Sequence, residues 1–310
     1  MKRHFLLLLG VIVTFASFVS CGDDDFDSPE SSVCEVVVKS GGNGSVAITN
    51  NTGTTVNILK GNSLEVVATP DEGYEFVGWF VGNDDEPVST DPVYTFVVKK
   101  NIVLVAKFRY PFVASGSKGG YDYVDLGLPS GLKWATCNVG AAEIYEKGAH
   151  YSWGETIDKA IFTWQYYQLG DGTDDVMTKY NTGDGKTVLD ADDDVANCKW
   201  GGTWRMPTKE DVQELIDHCT LESVKVNGVL GLKVKGPNGK CIFLPAASYK
   251  GGSGNILLGW LRYWSSSLSD EYDSYACSLE VFVGAPGGTY TPEMKTAQRR
   301  LGYSVRPVAE

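Results

Sequence analysis

The chain has 310 residues, 43% hydrophobic and 21% charged, enough for about two folded domains and too apolar for bulk disorder. Its 36 glycines and 12% aromatic content favour short strands joined by tight turns over helical bundles. A formal net charge of −12 argues against nucleic-acid binding, which needs a basic face, and three histidines leave little for His-based catalysis or metal binding.

Lys2 and Arg3 precede an apolar run from Phe5 to Phe18 that is too short to span a bilayer comfortably, so residues 1–20 read as a signal peptide. Phe18-Val19-Ser20-Cys21 resembles a bacterial lipobox, with Phe18 where Leu is usual. That resemblance implies that Cys21 carries the lipid, palmitate included. Asp23, Asp24, Asp25 and Asp27 follow, and an acidic run in this place is similar to the surface-export signal of Bacteroidetes lipoproteins. The alternative is a merely solvated tether. Residues 21–32 are acidic and broken by Pro29, as expected of a flexible tether. No later segment approaches 18 apolar residues, so the lipid is the expected membrane contact. The expected location is the outer membrane, lipid-anchored and exposed at the cell surface.

Residues 33–108 are dense in β-branched residues and turns. Val36-Val37-Val38 predicts a strand, Gly41-Gly42-Asn43-Gly44 a turn. Leu64, Val66 and Ala68 alternate, as do Tyr94, Phe96 and Val98, and Ile102, Leu104, Ala106 and Phe108, so these strands should each bury one face. Lys99-Lys100-Asn101 is expected to turn the last hairpin. Tyr74, Phe76 and Trp79 are expected in the core. The phrase from Ala68 to Trp79 (ATPDEGYEFVGW), with the strands around it, resembles the Listeria–Bacteroides repeat, the divergent internalin-type B repeat. This implies a small β-grasp-like module, used as a spacer or adhesive unit on bacterial surfaces.

Residues 109–120 (RYPFVASGSKGG) read as a linker. In the last unit, 121–310, the phrases Asp122–Gly140, Tyr151–Thr156, Trp200–Thr208, Ile242–Ala247, Tyr263–Ser267 and Ser304–Val308 occur in an order that resembles the Fibrobacter succinogenes major paralogous domain. The resemblance implies a C-type-lectin-like fold. The expected fold class is therefore β-rich α+β, a β-grasp-like repeat module followed by a lectin-like domain. Thr208 with Asp211 predicts a capped helix over 209–219, with Val212, Leu215 and Ile216 on one face. Ile242–Leu244 and Val281–Val283 are candidate core strands. Gly201-Gly202 should turn the chain so that Trp200 and Trp204 approach.

The Arg205–Asp211 phrase is also distantly similar to the formylglycine-generating enzymes, but their reactive Cys pair is missing: Cys277, the last cysteine, has no close partner in sequence. Asp190, Asp192 and Asp194 have the first spacings of a calcium loop, yet Val195 and Gly201 stand where its glycine and closing acid belong. They are weak metal candidates, and the alternative is a loop in which Asp193 or Asp194 caps a short helix. Calcium aside, no cofactor is expected. Cys34, Cys137, Cys198, Cys219, Cys241 and Cys277 could form disulfides or remain thiols. His150 and Ser265–Ser267 read as structural. Glu155 and Glu280 are the carboxylates a glycosidase would need.

These features favour a surface lipoprotein that binds extracellular glycan or protein ligands without catalysis. The alternatives are a carbohydrate-active enzyme with paired carboxylates and a structural or fimbria-associated component. Ligand contact is expected from loops, with Tyr166, Tyr167, Tyr180 and Trp260 as flat faces.

Overall fold

The computed structural model describes residues 32–252, 254, 259–284, 286 and 290–310. The expected signal peptide, the expected lipidation residue Cys21 and the acidic run Asp23, Asp24 and Asp25 lie outside the described residues.

The first part of the chain forms seven strands, β1 (Val33–Ser40), β2 (Gly44–Ile48), β3 (Thr55–Leu59), β4 (Ser63–Pro70), β5 (Glu75–Val81), β6 (Val93–Val97) and β7 (Ile102–Arg109). They make two sheets, ordered β3-β1-β7-β5 and β2-β4-β6, with β1 and β7 parallel and the other pairs antiparallel. Alternation decides what each sheet hides. Leu64, Val66 and Ala68 of β4 turn inward to meet Val36, Val38, Leu104 and Ala106, and Trp79 is fully enclosed among them. Phe76 sits edge-on to both Trp79 and Phe108 at 5.8 Å, and the Phe108 ring comes so close to Gly44 that a Cβ there would lie 2.5 Å from it. Residues 99–101 do not turn a hairpin. β6 pairs with β4 and β7 with β1 and β5, so this stretch carries the chain from one sheet to the other. Buried Val98 pins the crossing, its N–H bonded to the Asn62 carbonyl.

Residues 109–120 are not a free linker. Phe112 is buried edge-on against Phe243 at 5.8 Å, and β8 (Gly116–Lys118) pairs with β9 (Tyr121–Asp125). At Gly116 the Tyr123 ring occupies the space a side chain would need. The Lys118 carbonyl also accepts a hydrogen bond from the Trp204 indole at 3.0 Å.

The remainder is built from β10 (Lys133–Ala135), α1 (Val195–Trp200), α2 (Lys209–His218), β11 (Thr220–Val226), β12 (Val229–Lys235), β13 (Cys241–Pro245), β14 (Trp260–Leu268), β15 (Tyr275–Phe282), β16 (Glu293–Gln298) and β17 (Val308–Ala309). Its sheets are β17-β10-β9-β8, β11-β12-β13 and β14-β15-β16, so the chain is β-rich throughout, a repeat module followed by a second β-rich unit. α2 is capped as its sequence predicts. Thr208 Oγ1 accepts from the Asp211 N–H at 3.2 Å while the Asp211 carboxylate accepts from the Thr208 N–H at 2.8 Å. Val212 and Leu215 of α2 then pack with Leu261, Leu279 and Val281 in one core. A second core gathers Tyr151, Trp153, Tyr180, Trp264 and Tyr303. The Gly201-Gly202 turn brings Trp200 and Trp204 edge to face at 5.1 Å.

Two arginines are buried outright in this unit. Arg299 donates to the Tyr167 hydroxyl and to the carbonyls of Lys179, Tyr180 and Asp273. Arg306 donates to the Asn138 side-chain oxygen and to the carbonyls of Ala135, Thr136 and Phe243. Among the described residues neither forms an ion pair. Cys34, Cys137, Cys198, Cys219, Cys241 and Cys277 are all free thiols. The two parts of the chain meet through Lys233, which pairs with Glu75 at 2.9 Å and Glu222 at 2.6 Å, and through Glu72, which accepts from the Gly228 N–H at 2.7 Å.

Candidate functional site

The β14-β15-β16 sheet has two unlike faces, and strand alternation makes both. Leu261, Tyr263, Leu279 and Val281 enter the core with α2. The opposite face carries three cross-strand rows: Trp260 with Phe282, Arg262 with Glu280 and Glu293, and Trp264 with Ser278 and Lys295. Trp264 is covered by Tyr303, stacked at 4.3 Å. The other two rows reach the surface. Trp260 and Phe282 meet edge to face at 5.6 Å, and Phe282 is half exposed.

The polar row is held from several sides. The Arg262 guanidinium lies 4.4 Å over the Tyr249 ring and 4.8 Å over Trp260. Its Nε faces the Glu280 carboxylate at 3.2 Å. The other Glu280 oxygen accepts from the Tyr303 hydroxyl at 2.9 Å. Burial, and secondarily the Glu280 charge, push the Tyr303 phenol well above its usual range, so it stays a proton donor to that carboxylate. Glu280 and Glu293 stand directly opposite one another, a like-charge pairing that costs a sheet stability. Arg262 neutralises the first and Lys295, ion-paired with Glu293, the second. Trp260, Glu280, Phe282, Thr291, Glu293 and Lys295 line a depression of about 420 Å³ here, within the range of small-molecule sites.

A larger hollow of about 520 Å³ lies between α2 and β16. The Lys209–Asp270 ion pair lines it, with Glu210, Gln213, Met294 and Cys277. Burial pushes the Cys277 thiol up, and its Sγ donates to the Leu268 carbonyl at 3.3 Å. A protonated, hydrogen-bonded thiol is a poor nucleophile. Among the described residues no aromatic ring lines this hollow.

Of the four rings expected to contact ligand, only Trp260 lies on the aromatic face. Tyr166 is exposed, but it stands on the one-turn helix Trp164–Tyr166. Tyr167 and Tyr180 are buried and present no face to a ligand. Each is consumed by the interior. The Tyr167 hydroxyl donates to the Trp153 carbonyl and accepts from Arg299, both at 2.8 Å. The Tyr180 hydroxyl donates to Asp193 at 2.6 Å, and burial raises its pKa to about 12.

The three calcium candidates do not converge. Asp190 pairs with Lys179 at 2.8 Å and with Lys186, which hold its pKa near about 2. Asp194 is buried as the cap of α1, accepting from the N–H groups of Ala196 at 2.8 Å, Asn197 at 3.1 Å and Met206 at 2.7 Å. Among the described residues no group of three or more His, Cys, Asp or Glu is placed to hold a metal ion, Asp192 included. Glu155 and Glu280 are each engaged locally, Glu155 by Lys159 at 2.5 Å and the Gln168 N–H at 2.7 Å. His150 is buried with Nε2 at 3.1 Å from the Ala247 carbonyl oxygen, as a structural histidine would be.

Sequence reasoning passed over Arg262, Glu293 and Lys295, and put Phe282 in a core strand, whereas alternation turns its ring to the surface, half exposed. The alternation in Trp260-Leu261-Arg262-Tyr263-Trp264 was a signal that could have found the first of them.

The divergent InlB B-repeat domain is matched by residues 34–111, nearly the stretch that forms β1 to β7. Comparison with curated proteins and with solved structures finds no match. Among the described residues no helix is long and apolar enough to cross a membrane.

Proposed function

We propose that the chain is a cell-surface lipoprotein, anchored in the outer membrane through lipid on Cys21, that binds an extracellular glycan or protein and catalyses nothing. The observation that carries this reading is the B-repeat match at residues 34–111, a module type suited to surface display and adhesion. The motif order in 121–310 supports a lectin-like scaffold for the second unit, and the Trp260–Phe282 face is its binding surface. The acidic run Asp23–Asp25 serves export to the surface. No metal is required in this reading, because Asp190 and Asp194 are spent on lysines and backbone N–H groups.

Intact-mass analysis of the envelope fraction should find acyl mass on Cys21, and protease shaving of whole cells should remove the protein. A Cys21→Ala variant that stays in the membrane fraction would refute the anchor. An array of glycans and extracellular proteins, probed with the full chain, tests the binding role. Failure to bind anything on it would count against that role.

A further inference from the structure

Building on the binding role just proposed, we infer that the Trp260–Phe282 depression takes a neutral saccharide, without a metal ion. The inference rests on what the face offers and on what it refuses. Trp260 and Phe282 supply adjacent aromatic surface, one ring partly and one half exposed. The C–H face of a pyranose stacks on such a surface, because its hydrogens carry partial positive charge toward the negative face of the ring. Beside the rings stand two carboxylates in register on neighbouring strands, Glu280 and Glu293. Carboxylates accept from hydroxyl donors through several lone-pair directions each. Tyr303 occupies part of Glu280's accepting capacity, and Arg262 stands beside it as a charge partner. Glu293 is half exposed at the rim, with its partner Lys295 equally open.

Charge narrows the ligand class. Each carboxylate in the row has its own cation, so the row is locally balanced. An anionic ligand would face two carboxylates. A cationic ligand would compete with Arg262, whose guanidinium already occupies the aromatic cage of Tyr249 and Trp260. A purely apolar ligand would strip water from these two ion pairs and replace none of its hydrogen bonds, which is costly. A neutral polyol with one apolar face suffers none of these penalties. The depression, about 420 Å³, has room for one or two sugar rings.

The test is calorimetric titration of the full chain with galactobiose, cellobiose, maltose and mannobiose, and with digalacturonate as the charged counterpart of the first. At least one neutral disaccharide should bind, equally well in EDTA, and digalacturonate should bind at least tenfold more weakly. Phe282→Ala and Glu293→Gln alter exposed groups and should each raise Kd at least threefold. Trp260→Ala should raise it at least tenfold, with the thermal midpoint measured alongside to confirm folding. Digalacturonate binding as tightly as galactobiose overturns the inference, as does loss of binding in EDTA. If no disaccharide binds but Trp260→Ala abolishes capture of a protein on the array, the saccharide assignment falls and the binding face stands. If disaccharides bind and all three variants behave as wild type, the face itself is wrong.

Discussion

Arg306 makes the sharpest test of how the second unit is held together. The residue is 1% exposed, and its guanidinium donates four hydrogen bonds of 2.8–2.9 Å, one to the Asn138 side chain and three to backbone carbonyls. Desolvation lowers its pKa, and no carboxylate contributes to offsetting that. Arg306→Met keeps most of the volume and removes every donor. Four hydrogen bonds to a charged group, at about 1.5–3 kcal/mol each, contribute about 6–12 kcal/mol. Against this, the variant no longer buries a charge, a saving of several kcal/mol. The expected net loss is about 3–5 kcal/mol, a large part of the roughly 5–15 kcal/mol that stabilises a domain. In urea, at a slope of about 2 kcal/mol per molar, the midpoint should fall by about 2 M with the slope unchanged. Arg306→Lys should recover only part of the loss, since an ammonium has three donors for four acceptors. A loss below about 1 kcal/mol for Arg306→Met would refute the reasoning, because it would mean that the freed carbonyls find water at no cost.

His150 and Lys233 give two further tests. Burial, the largest effect on His150, holds its imidazole below its usual 6.5, so the unfolded chain takes up a proton before the folded one does. Stability should be full above about pH 6.5 and fall as the pH drops through the window below it. An NMR titration midpoint at or above 6.5, or a His150→Gln variant with undiminished acid sensitivity between pH 7 and 5, would contradict this. Lys233→Met leaves Glu75 and Glu222 without their shared cation and should loosen the contact between the two parts of the chain by about 1–2 kcal/mol, after allowance for the exposure of Glu222. Limited proteolysis within residues 110–115 should then run about tenfold faster, and an unchanged rate would show that Phe112 and the Glu72–Gly228 contact hold the junction without Lys233.

Local features were read correctly where the cause was local. The inward set Leu64, Val66 and Ala68 follows from alternation alone, and the Thr208–Asp211 cap needs only neighbouring atoms. The errors arose where distant residues decide. Residues 99–101 look like a hairpin turn until β6 is seen to pair with β4. The linker reading of 109–120 does not by itself reveal that Tyr123 packs over Gly116. Tyr167 and Tyr180 sit in a polar, loop-like stretch, and Arg299, more than a hundred residues later, joins Trp153 and Asp193 in holding them inside.

The candidate face divides in the same way. Trp260 could be singled out from sequence because a tryptophan beside a glycine-rich loop is conspicuous. Its companions could not. Alternation assigns Arg262, Glu280 and Phe282 to the same side as Trp260 once the strands are paired, but it does not say which side is covered. That choice falls to α2, whose Val212 and Leu215 pack on the Leu261–Leu279–Val281 side and leave the charged and aromatic side outward. Sequence alone determines periodicity, caps and turns, because these depend on atoms a few residues apart. Long-range packing chooses the pairing partners and the exposed face, because burial free energy is a property of the assembled layers and not of any one strand.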